Sequence, residues 1–233
     1  MNVKLEWRKR YVFNESFFEH IDSIAKAYWF GFVLADGCVV TECRSPGLII
    51  NLQDGDKSHL ESFLEDIESN HSIRFRINKA RGTTSVSLAI RSGKMANDLI
   101  SHGCIPRKTW LQTDITGLPD HLFSHFARGY FDGNGTIGFY TRKGRLKANG
   151  GPCIEPSWAC FGSESILSFL RCGLSSVLNI PSGCLRPKKG CYILSINRFS
   201  DLTRLFDQFY SGNGPYLPRK YIKWKAGAES ILL

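Results

Sequence analysis

The sequence has no apolar run approaching the length of a membrane-spanning helix. Its first ten residues carry Glu6 among basic and aromatic neighbours and no apolar signal-peptide core. No membrane partner is expected, and the predicted location is intracellular and cytoplasmic, in a prokaryote or phage setting, with an organelle left open. None of the eight cysteines forms a Cys-x-x-Cys pair, and several sit among apolar neighbours, so they read as reduced core or strand residues rather than a zinc or disulfide framework. No protein-splicing signature flanks the chain's repeats, which points to a free-standing protein. Acidic residues are also in deficit. With 30 Lys+Arg against 21 Asp+Glu, the net charge is +9 and the pI is near 9.2, which favours a polyanionic partner, nucleic acid before membrane.

What the sequence does have is an internal repeat. Residues 27–37 read Ala-Tyr-Trp-Phe-Gly-Phe-Val-Leu-Ala-Asp-Gly, and residues 125–135 read His-Phe-Ala-Arg-Gly-Tyr-Phe-Asp-Gly-Asn-Gly. Laid over each other, Gly31 falls on Gly129, Leu34 on Asp132, Ala35 on Gly133 and Asp36 on Asn134. A second correspondence closes each unit: Cys-Ile-Pro-Arg-Lys at 104–108 and Tyr-Leu-Pro-Arg-Lys at 216–220.

Between these marks the hydrophobic period changes in the same order twice. A short helix over 15–22, capped by Asn14, precedes a helix from about Ser23 to Ala35 that is apolar nearly all round and must be buried on most sides. Strands follow near 38–41 and 48–52. Asp56 is the expected cap of a helix carrying Leu60, Phe63, Leu64 and Ile67. Alternating stretches then set Ile73, Phe75 and Ile77 against Arg74, Arg76 and Asn78, and Val86, Leu88 and Ile90 against Ser85, Ser87 and Arg91. Each predicts a strand with one face on a core. Ser92 caps a short helix. The second half repeats this with a helix over 119–132, strands near 136–142, 145–148, 157–161, 184–187 and 191–197, and helices capped by Ser163 and Ser200. The predicted fold is α+β: an N-terminal extension (1–22), a first repeat (23–112), a linker (113–118), a second repeat (119–225) and a tail (226–233).

Two such units should pair through their most apolar surfaces, the helices that bear the motifs. A mid-helix glycine costs about 1 kcal/mol relative to alanine, so Gly31 and Gly129 predict close helix approach. The helix ends then lie side by side and bring Asp36 and Asn134 together. An acid at a helix C-terminus meets the negative end of the dipole, which a divalent cation or nearby basic groups would relieve. Alone, Asp36 before Gly37 would read as a turn residue; the matched repeat argues for more.

The two motifs, the intervening order and both Pro-Arg-Lys endings resemble the LAGLIDADG homing endonucleases in their single-chain, two-repeat form, over about Phe18 to Lys223. The resemblance implies two αββαββα repeats with saddle-shaped antiparallel sheets in the DNA major groove, packed about a pseudo-two-fold axis. It implies site-specific hydrolysis of both strands of a long target. Asp36 matches the metal-binding acid of the first motif, and Asn134 holds the corresponding place in the second, with the backbone at Ala35 and Gly133 beside them. The implied cofactor is Mg²⁺ or another divalent cation such as Mn²⁺, with Ca²⁺ in a non-cleaving complex. Lys108 and Lys220 match the basic residues near the scissile phosphates. Asp132 aligns with a position that is not catalytic in the family.

The polar strand faces agree with a nucleic-acid partner. Arg74, Arg76, Asn78, Ser85, Ser87 and Arg91 in the first half, and Tyr140, Arg142, Arg145, Lys147, Arg186, Lys188 and Lys189 in the second, are the candidates to touch bases and phosphates. Because the halves differ, the double-stranded DNA target should be asymmetric and the protein a monomer. Asn134, an amide where an acid is expected, keeps two alternatives open: a DNA- or intron-RNA-binding protein without cleavage (a maturase or regulator), or a strand-specific nickase.

Overall fold

In a computed structural model of the chain, residues 11–42, 45–78, 82–106, 114–146, 150–181 and 183–232 are described. The first repeat runs α1 (Ile24–Asp36), β1 (Gly37–Val40), β2 (Gly47–Gln53), α2 (Lys57–Asp66), β3 (Arg74–Asn78), β4 (Thr83–Arg91) and α3 (Gly93–Ser101). The second runs α4 (Phe123–Asn134), β5 (Gly135–Leu146), β6 (Pro152–Gly162), α5 (Glu164–Ser176), β7 (Cys184–Lys188), β8 (Cys191–Ile196) and α6 (Phe199–Tyr210), followed by α7 (Pro218–Leu232). Each repeat folds its four strands into one antiparallel sheet, in the orders β1-β2-β4-β3 and β5-β6-β8-β7. The architecture is the α+β, two-repeat arrangement expected from the sequence.

The two motif helices form the centre. α1 is buried from Ala27 to Ala35 and α4 from Phe123 to Asp132 apart from Ser124, so neither presents a simple amphipathic stripe. They cross at their glycines. A Cβ on Gly31 would lie 2.1 Å from the Phe126 carbonyl oxygen, and one on Gly129 would lie 2.0 Å from that of Tyr28. At each crossing a side chain is replaced by the partner's backbone. Each helix then passes directly into a strand through Gly37 or Gly135, where any side chain would strike the preceding helical turn.

Register settles which strand residues share a face, because directly paired residues point the same way. In the first sheet Leu48–Ile90, Ile50–Leu88 and Leu52–Val86 pair on the core side, while Asn51–Ser87–Arg74 and Gln53–Ser85–Arg76 line the other. In the second, Ile137–Trp158–Ile196 and Cys160–Leu194 face the core. The opposite face carries Thr136, Tyr140–Glu155 and Phe161–Ile193–Arg186.

Several local expectations differ from the structure. Residues 15–19 form a turn rather than a helix, although Asn14 does accept from the Ser16 N–H at 3.0 Å. Asp56 takes the N-cap position of α2, but its side chain makes no capping hydrogen bond; its carboxylate is held by Arg219 instead. Ser200 lies inside α6, whose N-cap is Arg198. Phe75 and Ile77 are 60% and 72% exposed, because the alternation continues along an outer strand past the area that the core covers. The second Pro-Arg-Lys opens a 15-residue helix, α7, where the sequence pattern suggested only an ending and a tail; Pro218 takes the first position, where its missing N–H is no loss. Among the described residues all seven cysteines are free thiols. No described helix is long and apolar enough to cross a membrane.

Candidate active site and nucleic-acid interface

The ends of α1 and α4 meet at their last residues. A Cβ on Gly133 would be 2.4 Å from that of Ala35, so the helices touch down to the final turn. Asn134 Nδ2 donates to the Ala35 carbonyl across this seam, at 3.2 Å. Asp36 is exposed, and Asn134 is half-buried beside it. The amide nitrogen is thus engaged with protein, which directs Asn134 Oδ1, its only acceptor, away from the Ala35 carbonyl. A cavity of about 280 Å³ opens there, lined by Leu34, Ala35, Tyr130, Asn134, Phe161 and Cys191 among others. Tyr130 on its wall donates its hydroxyl to the Phe161 carbonyl at 2.9 Å, and burial pushes its ionisation well up, so it stays a neutral phenol.

Asp36 brings an exposed carboxylate to the helix ends. Asn134 Oδ1 and the backbone carbonyls add neutral oxygens, and the Ala35 carbonyl keeps a second lone pair beyond the one Asn134 uses. Hard oxygen donors of low total charge fit Mg²⁺ or Ca²⁺, which commonly take only one or two carboxylates and complete their shells with water and phosphate. Among the described residues no group of three or more His, Cys, Asp or Glu side chains is placed to hold a metal.

Lys220 meets the α4 terminus. Its ammonium donates to the carbonyls of Phe131 at 2.5 Å, Asp132 at 2.8 Å and Gly135 at 2.7 Å, and the side chain is only 5% exposed. Burial pulls its pKa down to about 8, opposed by the nearby carboxylate of Asp132. All three donors are spent on the open end of α4, a cationic cap on the negative end of the helix dipole. Lys108, its counterpart in the first repeat, lies outside the described residues, as does Lys147.

The predicted strand residues divide by place. Arg74, Arg76, Ser85, Ser87 and Arg91 share the solvent-facing side of the first sheet, with Asn78 in the same register. Ser87 is nevertheless 2% exposed, whereas Arg74, Arg76 and Arg91 are open to solvent. Arg91 Nη1 donates to the Ser45 carbonyl at 3.0 Å. In the second sheet Tyr140 is 63% exposed and Arg186 and Lys188 share its side. Arg142 pairs with Glu155 at 2.5 Å, which reduces the charge it offers. Lys188 sits 4.6 Å from the centre of the Phe161 ring, and so next to the Asn134 cavity. Arg145 is exposed within the irregular stretch of β5 between Thr141 and Leu146, and Lys189 is on the β7–β8 turn. Sequence reasoning missed Asn51 and Gln53, which lie on the same face as Arg74 and Arg76. Their alternation begins only after the apolar run 48–50, so periodicity hid them. Since β1 and β5 begin one residue after Asp36 and Asn134, each polar sheet face starts at the junction of the helices.

This arrangement is similar to known structures. A LAGLIDADG meganuclease, I-AabMI, bound to uncleaved DNA, aligns with a TM-score of 0.61 at 15% identity, over 88% of this chain and 89% of that one. The fold is that of the LAGLIDADG homing endonucleases. I-LtrWI, a LAGLIDADG homing endonuclease bound to target DNA, gives 0.61 at 10% identity over 94% and 92% of the two chains. I-SmaMI, bound to an uncleaved DNA target in the presence of calcium ions, gives 0.62 at 11% identity over 88% and 90%. No family model and no curated protein matches the sequence. The likeness to LAGLIDADG structures is one of fold.

Proposed function

We propose that the protein is a site-specific, double-stranded DNA endonuclease that hydrolyses phosphodiester bonds at a long, asymmetric target and acts as a monomer with a divalent cation. The observation that carries this reading is the meeting of two helix ends, with Asp36 and Asn134 presenting oxygens at the point where two polar, basic sheet faces begin. A buried helix pair needs no carboxylate at its end, and placing one there runs against the dipole. The neighbouring solved structures that contain DNA add support through shared fold.

Asp36, Asn134 Oδ1 and the carbonyls of Ala35 and Gly133 would hold the cation, preferably Mg²⁺. When bound, such an ion polarises the phosphoryl oxygens and makes water a better nucleophile near neutral pH. The chain's own groups do the rest. Arg74, Arg76 and Arg91, with Arg186, Lys188 and Lys189 on the other sheet, neutralise phosphates and set the register of the duplex. Asn51, Gln53, Ser85 and Tyr140 offer donors and acceptors to base edges. Lys220 holds the end of α4 closed, so that Asn134 is presented rather than frayed.

A second reading follows from one residue. Asn134 carries no charge, so the half-site that depends on it would be cut more slowly, in the limit giving a nickase or a binding protein. Supercoiled plasmid bearing the gene's insertion site, incubated with Mg²⁺, separates these. Linear product supports the nuclease, open circle alone supports nicking, and an unchanged plasmid with both the natural protein and Asn134→Asp removes the catalytic reading.

A further inference from the structure

The Leu217–Lys220 segment, where the chain enters α7, is held from three directions by groups of both repeats. Asp132 on α4 accepts the Leu217 N–H at 2.8 Å through Oδ2. The same oxygen accepts the Tyr28 hydroxyl of α1 at 2.8 Å, and Tyr28 in turn lies 2.9 Å from Nε2 of His59 on α2. Two residues further on, Arg219 makes three hydrogen bonds of 3.0–3.3 Å to the carboxylate of Asp56, which is 6% exposed and belongs to the first repeat. Lys220 then enters the end of α4 and uses all three of its hydrogens there.

Asp132 is 1% exposed, and such a buried carboxylate is costly unless it is bonded and balanced. Lys220 and Arg128 supply the charge balance. Arg128, itself fully buried, donates Nη1 to the Phe209 carbonyl and lies 5.4 Å from the Tyr28 ring centre. The first motif has Leu34 at the matching position. The acid is therefore a feature of the second repeat alone; one of its bonds runs to Tyr28 of α1 and the other to the segment that delivers Lys220.

We infer that Asp132 is a positioning residue. With Asp56 it forms an inter-repeat latch that locks Leu217–Lys220 in place, so that Lys220 closes the α4 terminus and Asn134 is held at the Ala35 carbonyl. The inference rests on the nuclease reading only for its effect on cutting, because the latch itself is measurable without DNA. Its consequence is one-sided: loosening it impairs the Asn134 end and leaves the Asp36 end intact.

The test labels lysines of the full-length protein with acetic anhydride at pH 8.5 and reads each site by mass spectrometry. Lys223 and Lys225, exposed on the same helix, are the internal controls. Asp132→Leu, which installs the residue found in the first motif, should raise acetylation of Lys220 by about tenfold relative to those controls, the scale of one lost buried hydrogen bond. Asp132→Asn keeps an oxygen acceptor for Leu217 and Tyr28, and should restore most of the protection. If Asp132→Leu folds and Lys220 stays as protected as in the natural protein, the latch does not exist. If Asp132→Leu fails to fold, Asp56→Asn replaces it and is held to the same outcome at Lys220. A second readout follows both strands of labelled target in single turnover. Slowing of one strand by about tenfold, with little change in the other, supports the inference, whereas equal slowing of both overturns it. Absence of any cutting by the natural protein defeats the nuclease reading, while the labelling still decides the latch.

Discussion

Gly31→Ala gives the sharpest test of the central seam, because two physical effects predict opposite signs. On a helix that merely faced side chains or solvent, the change would stabilise the protein by about 1 kcal/mol through helix propensity. Here the new Cβ would lie 2.1 Å from the Phe126 carbonyl oxygen and 3.0 Å from the Tyr130 nitrogen, both backbone atoms that cannot rotate away. An ordinary carbon–oxygen contact needs roughly 1 Å more, so α1 and α4 must separate by about that distance, a gap that forfeits a quarter to a half of each dispersion contact along the seam. Overpacking of this kind costs about 1–3 kcal/mol. Net of propensity, Gly31→Ala should destabilise by roughly 0–2 kcal/mol. Separation would also stretch the Asn134–Ala35 hydrogen bond, already 3.2 Å, so cleavage should fall even where the variant remains folded. Urea denaturation followed by tryptophan fluorescence reports the first effect, since Trp29 lies in α1 and Trp158 stacks on Phe131 of α4. A midpoint raised at unchanged slope, as propensity alone would give, would refute the close crossing. Gly129→Ala should behave alike, its Cβ falling 2.0 Å from the Tyr28 oxygen.

Four other perturbations have expected outcomes. His59 is buried and its pKa is lowered from 6.5 to about 4, chiefly by burial, so between those pH values the unfolded chain binds a proton that the native one does not. Stability therefore falls as pH drops through that window, by about 3 kcal/mol relative to His59→Gln, which keeps a partner for Tyr28; parallel titration curves for the two proteins would contradict the assignment. Replacing Arg74 and Arg76 together by Ala should weaken DNA binding and flatten the dependence of log affinity on log salt by about 2, and an unchanged slope would place the duplex elsewhere. Asn134→Asp should raise Ca²⁺ affinity by about tenfold in calorimetry, by adding a charged oxygen. The same variant should lower cation-free stability by about 0.5 kcal/mol, through a second negative charge at a helix C-terminus. Asp36→Ala should abolish the binding heat, and retention of that heat would move the cation site.

Much of this was legible in the residues. The repeat, the order of elements and the pairing of motif helices follow from two apolar stretches with matched glycines and from the switch between periods of about 3.6 and 2. The polar strand faces were legible wherever alternation was clean, at Arg74, Arg76 and Ser85. They were illegible at Asn51 and Gln53, where an apolar run precedes the polar residues. Asp56 read as a helix cap because Asp before a helical stripe commonly is one; its partner Arg219 is 163 residues away, and no local pattern encodes that distance. Lys220 was marked by its motif, but that all its hydrogens are spent on the end of α4 depends on where α7 docks.

By itself, then, the sequence determined two similar α+β units, a basic polar surface on alternating strands, and the juxtaposition of one acid with one amide. These are local properties, set by periodicity, glycine placement and composition. Tertiary structure decided which buried charges share partners and which polar residues are covered. It made Ser87 inaccessible, drew Arg142 onto Glu155, and tied Asp132 to Tyr28 and Leu217. The reason is physical: a buried charge is tolerated only where distant segments bring it donors or counter-charges, and those segments meet only after the two repeats have packed.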